Sequence, residues 1–191
     1  MTNFNEVEEL MKQHSLKLPP KKVQINIENA KEVLVEYFKH FTKPFLWLPE
    51  YDLVAEWLTD SQGRGLLLYG LPGRGKTLLG KYILPAILLK HQKKVVSVFD
   101  MQDVNRNIDE VLKRHIIYLD DVGTEDIAVN YGEKRNAFCE IVDSAEKNGK
   151  LLIISTNLNA NDIRNKYGNR TLDRIKAITK RVLFKGESLR K

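Results

Sequence analysis

The feature that most constrains the fold is a glycine-rich turn that joins an apolar run to a helical pattern. The apolar run GLLLY at 65–69 is short and continuous, which is typical of a strand buried on both faces. It leads directly into G-L-P-G-R-G-K-T at 70–77, and apolar residues at helical spacing begin with Leu78. A strand, a glycine-rich turn and a helix in this order predict a loop whose backbone N–H groups surround a phosphate group.

Each residue type in this turn has a physical role in binding a nucleotide. The glycines let the backbone approach the β-phosphate closely, and the helix N-terminus adds a favourable dipole. We expect Lys76 to reach the β- and γ-phosphates and the Thr77 hydroxyl to take one position on Mg²⁺. The residues expected to bind ATP are therefore Gly70, Leu71, Pro72, Gly73, Arg74, Gly75, Lys76, Thr77 and Leu78. The structural alternative is a glycine-rich turn that only connects a strand to a helix.

A later apolar run, IIYL, ends in two acidic residues. The carboxyl end of a strand is where α/β sheets place their ligands. We expect Asp120 to hold Mg²⁺ through water and Asp121 to polarise the attacking water. Many related ATPases use the longer Glu as this base, so hydrolysis is expected to be slow. Glu125 and Asp126 are alternative bases, and the structural alternative is that the two acids cap a helix over 122–126.

Another apolar run, LLII, is followed by the polar residues Ser155, Thr156 and Asn157. One interpretation is functional: Asn157 lies between the γ-phosphate and the water and reports which of them is present. The other is structural, because a polar side chain after a strand is equally suited to cap a helix over 158–165. The pattern leaves both interpretations open.

Five short apolar runs separated by helical stretches indicate a parallel α/β sheet flanked by helices. Each run is expected to form a strand buried on both faces, at 65–69, 95–99, 116–119, 151–154 and 182–184. Pro85 falls inside the helical stretch after the first strand, and it is expected to kink that helix or end it early.

The residues before the first strand have a different character. Pro19 and Pro20 separate a short amphipathic segment, which we interpret as a small arm, from the rest of the chain. Apolar residues at spacings of three and four predict a helix over 29–41, and Pro49 is suited to open a second helix. We therefore expect two parts. Residues 1–62 would form an N-terminal region that contains a helical arm for binding a partner and a linker, and residues 63–191 would form the ATPase domain.

Three arginines near the C-terminus have candidate roles. Arg170 and Arg174 are four residues apart, so on a helix they share a face. One of them could be presented to the nucleotide of a neighbouring subunit, where it would neutralise transition-state charge. Arg190 follows the last strand and is expected close to the chain's own nucleotide. The alternative for all three is solvated surface charge, with Asp173 as a local partner.

Together and in this order, these motifs resemble those of the bacterial helicase-loader family of AAA+ ATPases, DnaC and DnaI, with the transposition helper IstB as a cousin. The resemblance runs from about Gly65 to the C-terminus and rests on G-L-P-G-R-G-K-T, L-D-D-V-G, I-S-T-N-L, Y-G-N-R-T-L-D-R and G-E-S-L-R. It implies Walker A residues at Lys76 and Thr77, Walker B residues at Asp120 and Asp121, sensor 1 at Asn157, the finger arginine at Arg174 and the sensor 2 arginine at Arg190.

The same resemblance implies a fold and a function. The fold would be a P-loop NTPase of the AAA+ class (ASCE type), with strand order 5-1-4-3-2 and no C-terminal helical lid. The function would be ATP-switched loading of a replicative helicase in DNA replication, by an ATP-dependent homo-oligomer that associates with single-stranded DNA. The alternatives are an IstB-like helper of a transposase-like protein and an ATP-gated adaptor with little hydrolysis. A small-molecule kinase would need an acceptor pocket and a mobile lid, for which the short stretch after Phe99 has no room.

Charge, hydropathy and the cysteine count indicate which partners and which cellular location to expect. The net charge of +6 is concentrated in residues 162–191, where ten cations face three acids, and this favours a polyanionic partner such as DNA. No apolar run approaches the length of about 20 residues that a membrane span needs, and the acidic N-terminus is unlike a signal peptide. We therefore expect a cytoplasmic protein without membrane contact. The single cysteine, Cys139, cannot form an internal disulfide and is expected to be a buried small hydrophobic residue.

Overall fold

The computed structural model describes residues 3–125, 128–130 and 133–189. The helices are α1 (Phe4–Gln13), α2 (Ala30–Phe41), α3 (Glu50–Thr59), α4 (Lys76–Leu78), α5 (Leu84–Gln92), α6 (Met101–Val111), α7 (Ala137–Asn148), α8 (Ala160–Tyr167) and α9 (Asn169–Ile178). The strands are β1 (Gly65–Gly70), β2 (Ser97–Asp100), β3 (Ile116–Val122), β4 (Ala128–Asn130), β5 (Glu133–Arg135), β6 (Leu151–Thr156) and β7 (Thr179–Phe184). None of the helices within these ranges combines the length and the apolar character of a membrane span.

The main sheet is parallel and has the order β2-β3-β6-β1-β7. The five apolar runs of the sequence correspond to β1, β2, β3, β6 and β7, so this order, viewed from the other edge, is the expected 5-1-4-3-2. Each crossover between these strands contains at least one helix, which is what parallel pairing requires. β4 and β5 form a separate antiparallel pair.

Side chains alternate along the strands and divide the core into two layers. Leu66 and Leu68 of β1 face α2, α3 and α5, whereas Leu67 faces α6, α7, α8 and α9. β6 divides in the same way, with Ile153 in the first layer and Ile154 in the second. Both faces of the central strands are buried, and this explains their continuous apolar runs.

The two edge strands are less buried than expected. β2 begins at Ser97, and Val95, which the predicted strand included, is 69% exposed. In β7, Val182 and Phe184 are buried while Leu183 between them is 36% exposed. An edge strand has a neighbour on one side only, so the flanking helices cover less of it. Burial on both faces is therefore confirmed for the central strands and wrong for these two.

Pro85 does not end the helix that follows the glycine-rich turn. A π-helical segment over Leu79–Ile83 precedes it, and α5 then continues to Gln92. Proline has no N–H, and its ring crowds the carbonyl group four residues earlier, so the wider π turn accommodates it. The expected early end is wrong, and the disturbance takes the form of a π turn.

The residues before β1 divide into two parts. α2 and α3 begin within one residue of their predicted starts, and Leu34, Phe38 and Trp57 belong to the same buried cluster as Leu66 of the sheet. In α1, by contrast, none of the described side chains is buried, and Phe4 is 75% exposed. α2 and α3 thus pack onto the sheet, whereas the division of the chain between 62 and 63 stays a prediction.

Cys139 is half-buried, whereas the sequence predicted a buried residue. It is partly accessible because it lines a cleft between α7 and α9. The Thr171 hydroxyl donates to its sulfur at 3.3 Å, and burial raises the pKa of the thiol. Its thiol is therefore held protonated at neutral pH.

Candidate nucleotide-binding site

The glycine-rich turn forms a loop between β1 and α4, as predicted. Gly73 and Gly75 have φ angles of 77° and 85°, in the left-handed region that favours glycine. Gly73 also packs against the segment after β7, where an added Cβ atom would lie 2.0 Å from the Ser188 hydroxyl oxygen. A side chain at Gly73 would therefore displace either the loop or that segment.

Lys76 is the first residue of α4, and its side chain turns back onto the loop. Its ammonium group donates to the carbonyl oxygens of Gly70 and Leu71, both at 2.8 Å, and to Asn157 Oδ1 at 2.9 Å. Lys76 is only 6% exposed. The fold thus brings the loop lysine to Asn157, which follows β6, although 81 residues separate them in the chain.

Asp120 lies near the end of β3, where the sequence predicted the metal-binding carboxylate. Its Oδ1 atom accepts hydroxyl hydrogen bonds from Thr77 at 3.1 Å, from Tyr118 at 2.6 Å and from Ser155 at 2.6 Å. The two residues expected to hold Mg²⁺, Thr77 and Asp120, are therefore in direct contact.

Tyr118 and Ser155 were not identified from the sequence. Tyr118 is fully buried, and burial together with its hydrogen bond to Asp120 raises the pKa of its hydroxyl, so this group stays a donor. Its ring packs against Gly80 of the π-helical segment, where an added Cβ atom would lie 2.1 Å from Cε2. The signal available for Tyr118 was its spacing from Asp120, because residues two apart on one strand share a face.

Asp121 departs from the regular path of the strand. Its φ is 57°, and the pairing of β3 with β6 shifts in register between Leu119 and Val122. The residue is exposed, and its Oδ1 accepts a hydrogen bond from Asn157 Nδ2 at 3.4 Å. This irregularity directs the Asp121 carboxylate to Asn157 and away from the core.

The structural alternative for the two acids is wrong. β3 continues through both of them to Val122, and the described residues from there to Glu125 form a turn and not a helix. Glu125, an alternative base, is 8% exposed and accepts hydrogen bonds from the Gly123 N–H at 2.8 Å and from the Tyr167 hydroxyl. It is therefore engaged in contacts away from the loop. Asp126 lies outside the described residues.

Asn157 does not cap the helix that follows it. α8 begins at Ala160, and its cap is Asn159, whose side chain accepts hydrogen bonds from two backbone N–H groups of the first turn. Asn157 instead contacts Lys76 through its oxygen and Asp121 through its nitrogen. The capping alternative is therefore wrong, and the role of Asn157 as a sensor stays a prediction.

The oxygen atoms beside the loop form a donor set that fits Mg²⁺. Thr77 contributes a hydroxyl and Asp120 a carboxylate, and both are hard oxygen ligands. Among the described residues, no three His, Cys, Asp or Glu side chains form a group that could hold a metal ion. One or two protein ligands are typical of Mg²⁺, which keeps several waters and binds substrate phosphates.

A cavity of about 920 Å³ extends from the loop to the connection between α2 and α3. Its first end is lined by loop and strand-end residues, among them Gly73, Gly75, Lys76, Thr77, Asp121 and Asn157. Its second end is lined by Phe38, Thr42, Lys43, Pro44, Phe45, Leu46 and Tyr51. The cavity therefore joins an end lined by the loop and the strand ends to an end lined mostly by apolar and aromatic residues.

Aromatic side chains form the wall of the second end. The rings of Phe38 and Tyr51 stack with centroids 4.2 Å apart, and those of Phe38 and Phe45 lie 5.7 Å apart. Burial and the neighbouring Glu50 raise the pKa of Tyr51 to about 12. Sequence reasoning missed this wall, and the only signal for it was the density of aromatic residues between 37 and 51.

A family model described as novel STAND NTPase 3 (nSTAND3) matches residues 48–188. The chain belongs to the nSTAND3 family. The matched part of this nSTAND3 chain includes the loop at 70–77, both acids of β3 and Asn157, so the site is that of a P-loop NTPase. No curated protein matches the chain.

Solved structures share the fold of the nSTAND3 chain at low sequence identity. A DnaC helicase loader is 22% identical, with a TM-score of 0.55, over 84% of this chain and 93% of its own. A DnaI structure is 16% identical, with a TM-score of 0.52, over 85% and 86%. The replication initiator DnaA, bound to AMPPCP and single-stranded DNA, is 15% identical, with a TM-score of 0.57, over 78% and 50%. These likenesses confirm the predicted fold class, a P-loop NTPase domain of the AAA+ type.

Arg74 of the nSTAND3 loop has a partner that the sequence did not indicate. Its side chain is 10% exposed, and its Nη2 atom lies 2.8 Å from Glu50 Oε1 at the start of α3. Arg74 is not among the residues that line the cavity. The Arg74 side chain is therefore engaged by Glu50, and the contact with ATP that the sequence predicted for Arg74 stays a prediction.

The two arginines of α9 share one face, as predicted, and Leu172 and Ile175 are buried. Arg170 and Arg174 line a cleft of about 540 Å³ beside α7, which has no lining residue in common with the cavity at the loop. The nSTAND3 chain therefore does not bring either arginine to its own Lys76. Action on a neighbour's nucleotide stays a prediction, and Arg190 lies outside the described residues.

Acidic residues of α7 hold Arg174. Its guanidinium contacts Asp143, and its Nε lies 2.6 Å from Glu146 Oε2. The side chain of Arg174 is 18% exposed as a result. Asp173, the partner expected from the sequence, lies 4.0 Å from Lys176 instead. The local pairing with Asp173 is therefore wrong, and Arg174 has a defined position on the surface.

Proposed function

We propose that the chain binds ATP with Mg²⁺ at the loop and hydrolyses it. The observation that carries the proposal is the meeting of the loop with the ends of β3 and β6: Lys76 contacts Asn157 at 2.9 Å, and Thr77 contacts Asp120 at 3.1 Å. A DnaA structure with the same fold is bound to AMPPCP, an ATP analogue.

Lys76 supplies positive charge for the β- and γ-phosphates. Its donors are directed at the neutral carbonyl oxygens of Gly70 and Leu71. A phosphate oxygen carries negative charge, so its Coulomb attraction to the ammonium group exceeds that of a neutral carbonyl group. Phosphate oxygens are therefore expected to displace these carbonyl groups from the ammonium group.

Thr77 and Asp120 hold the metal ion in this proposal. Mg²⁺, when bound, neutralises charge on the β- and γ-phosphates. Hydroxyl groups of Tyr118 and Ser155 fix the Asp120 carboxylate through hydrogen bonds of 2.6 Å. The carboxylate is thus held in one orientation before the ion arrives.

Asp121 acts as the base that takes a proton from the attacking water. Its carboxylate lines the cavity, and the Asn157 amide donates to it at 3.4 Å. Asn157 thereby contacts both the loop lysine and the base. Because Asp is one methylene shorter than Glu, slow turnover is expected.

The aromatic end of the cavity takes the adenine base. Phe45 is half-buried there and offers ring surface to the cavity, whereas Phe38 and Tyr51 are 2% and 3% exposed and support it from behind. An aromatic surface of this kind is favourable for a planar base. Leu46 adds aliphatic surface on the same side.

Calorimetric titration with Mg²⁺ and ATP tests the binding site. A hydrogen bond to a charged group contributes about 1.5–3 kcal/mol, so Lys76→Ala is expected to raise the Kd by about 10- to 100-fold. Lys90→Ala, which removes an exposed lysine of α5, is the matched control and leaves the Kd unchanged. Equal affinity of Lys76→Ala and wild type would contradict the site.

At the level of process, we propose that this ATPase loads a replicative helicase in DNA replication, as a cytoplasmic, ATP-dependent homo-oligomer. The supports are the fold shared with a DnaC helicase loader and the exposed apolar face of α1, where Phe4 is 75% and Leu10 54% exposed. Leu10→Ser should abolish capture of the helicase, whereas Lys12→Ser on the same helix should not. Capture of a transposase-like protein and not of a helicase would support the IstB-like alternative.

We also propose that the exposed cations of α8, α9 and β7 contact single-stranded DNA. These residues are Arg164, Lys166, Arg170, Lys176 and Arg181. Removing one cation that binds a phosphate should reduce the slope of log affinity against log salt by about 0.7. Arg181→Ala is expected to show this reduction and Lys90→Ala is not, and equal slopes for both would contradict the binding of DNA by these cations.

A further inference from the structure

Glu50 and Arg74 form a buried ion pair beside the loop. Arg74 Nη2 lies 2.8 Å from Glu50 Oε1, and the two side chains are 10% and 6% exposed. Glu50 is the first residue of α3, so the pair fixes the loop to the N-terminal helices. Removing one partner would leave a buried charge without compensation, which makes the ion pair hard to break.

The same pair holds the segment after β7, residues 185–189, which we call the C-terminal clasp. The Lys185 backbone N–H donates to Glu50 Oε1 at 3.2 Å. Arg74 Nη1 donates to the carbonyl oxygen of Glu187 at 3.3 Å. One carboxylate and one guanidinium thus connect three parts of the chain that are far apart in sequence.

The C-terminal clasp also touches the loop directly. The Leu189 N–H donates to the carbonyl oxygen of Gly73 at 2.9 Å, and Ser188 lies where a side chain at Gly73 would be. Leu189 lines the cavity together with Lys76 and Thr77. The clasp is therefore one wall of the proposed nucleotide site.

We propose that Glu50 and Arg74 are positioning residues that couple occupancy of the loop to docking of the C-terminal clasp. The loop in this structure presents the Gly73 carbonyl to Leu189 and the Arg74 guanidinium to Glu187. A ligand that favours this conformation favours the docked clasp to the same extent, because such coupling is reciprocal. The inference rests on the proposed nucleotide site.

Amide hydrogen exchange of the full chain, with and without saturating Mg²⁺-AMPPCP, measures this coupling at Leu189. In the wild type, AMPPCP is expected to slow exchange of the Leu189 amide at least about tenfold, within the usual range of coupling between sites. In Glu50→Gln, AMPPCP still binds, but at saturation it slows Leu189 exchange by less than about threefold. A residue that only stabilised the fold would change exchange equally with and without AMPPCP.

The controls separate the coupling from the site itself. Glu110→Gln, which alters the exposed ion pair between Glu110 of α6 and Arg114 beyond the end of this helix, should retain the full effect of AMPPCP. Arg74→Lys keeps a positive charge beside Glu50 but loses the fork that reaches Glu187, so it tests the coupling even if Glu50→Gln does not fold. Equal protection of Leu189 in the wild type and in both variants would overturn the inference. Failure of the wild type to bind AMPPCP would overturn the proposed nucleotide site instead.

Discussion

The Lys76 ammonium group lies 2.9 Å from the side-chain oxygen of Asn157, and the nitrogen of the same amide lies 3.4 Å from the Asp121 carboxylate. The amide thus presents its oxygen to a cation and its nitrogen to an anion, which is the favourable orientation of its dipole. We therefore expect a change at Lys76 on phosphate binding to reach Asp121 through the Asn157 side chain.

Asn157→Ala is expected to reduce ATP hydrolysis about 100-fold, because the base loses the group that orients it, while the Kd for ATP changes little. Steady-state turnover and calorimetric binding on the same samples provide the measurement. Asn159→Ala is the matched control: it removes the cap of α8 and about 1 kcal/mol of stability, but not hydrolysis. Wild-type turnover by Asn157→Ala would refute this link.

Tyr118→Phe is expected to raise the Mg²⁺ concentration needed for half-maximal hydrolysis about tenfold, since the Asp120 carboxylate loses a hydrogen bond of 2.6 Å. A Mg²⁺ titration at fixed ATP measures the effect. Tyr167→Phe removes another buried hydroxyl that donates to a carboxylate, that of Glu125, and should lower stability without changing the Mg²⁺ requirement. A shared shift in both variants would argue against a specific role for Tyr118.

Arg174 is expected to act on the nucleotide of a neighbouring chain. Turnover per molecule should then rise with protein concentration in the wild type and stay flat in Arg174→Ala, because a finger arginine typically accelerates hydrolysis about 10³- to 10⁵-fold. Arg170→Ala, on the same face of α9, should retain the rise. Glu146→Gln keeps Arg174 but removes its ion pair with Glu146, so it shows whether the effect comes from the arginine or from that pair. An unchanged rise in Arg174→Ala would exclude this role.

The ion pairs of Asp143 should make stability depend on pH in acid. Lys147 and, to a smaller extent, Arg174 lower the pKa of Asp143 from its usual 3.8. The unfolded chain therefore binds the proton more readily, so the contribution is present above about pH 3.8 and lost as pH falls through the lower folded pKa. Asp143→Asn should reduce the free energy of unfolding at pH 7 by less than about 1 kcal/mol, and by nothing below that window. Urea unfolding at pH 7 and at a pH below this window tests the prediction. Asp173→Asn, which changes an exposed carboxylate of α9, is the control.

The parts of the site that follow from a local motif, from helical spacing or from the shared carboxyl edge of parallel strands could be predicted from the sequence. The loop at 70–77 follows from its own glycines, and Asp120 could be expected beside Thr77 because carboxyl ends of parallel strands share one edge of the sheet. The arginines of α9 could be placed on one face by helical spacing alone.

Contacts between distant segments could not be predicted in this way. Two such contacts depend on how α2 and α3 pack onto the sheet: the ion pair of Glu50 with Arg74 and the stack of Phe38 on Tyr51. No local sequence pattern encodes that packing. Asn157 was ambiguous for a related reason. Both of its uses need a polar side chain after a strand, and only the position of Asn159 decides between them.

The role of Asp121 as the catalytic base is decided by the hydrolysis and binding of ATP by Asp121→Asn, measured on the same samples. This change keeps the size of the side chain and removes its ability to take a proton. We expect a Kd for Mg²⁺-ATP within about threefold of wild type and a loss of hydrolysis of about 100-fold or more. Hydrolysis at the wild-type rate by Asp121→Asn would contradict the proposed ATPase site.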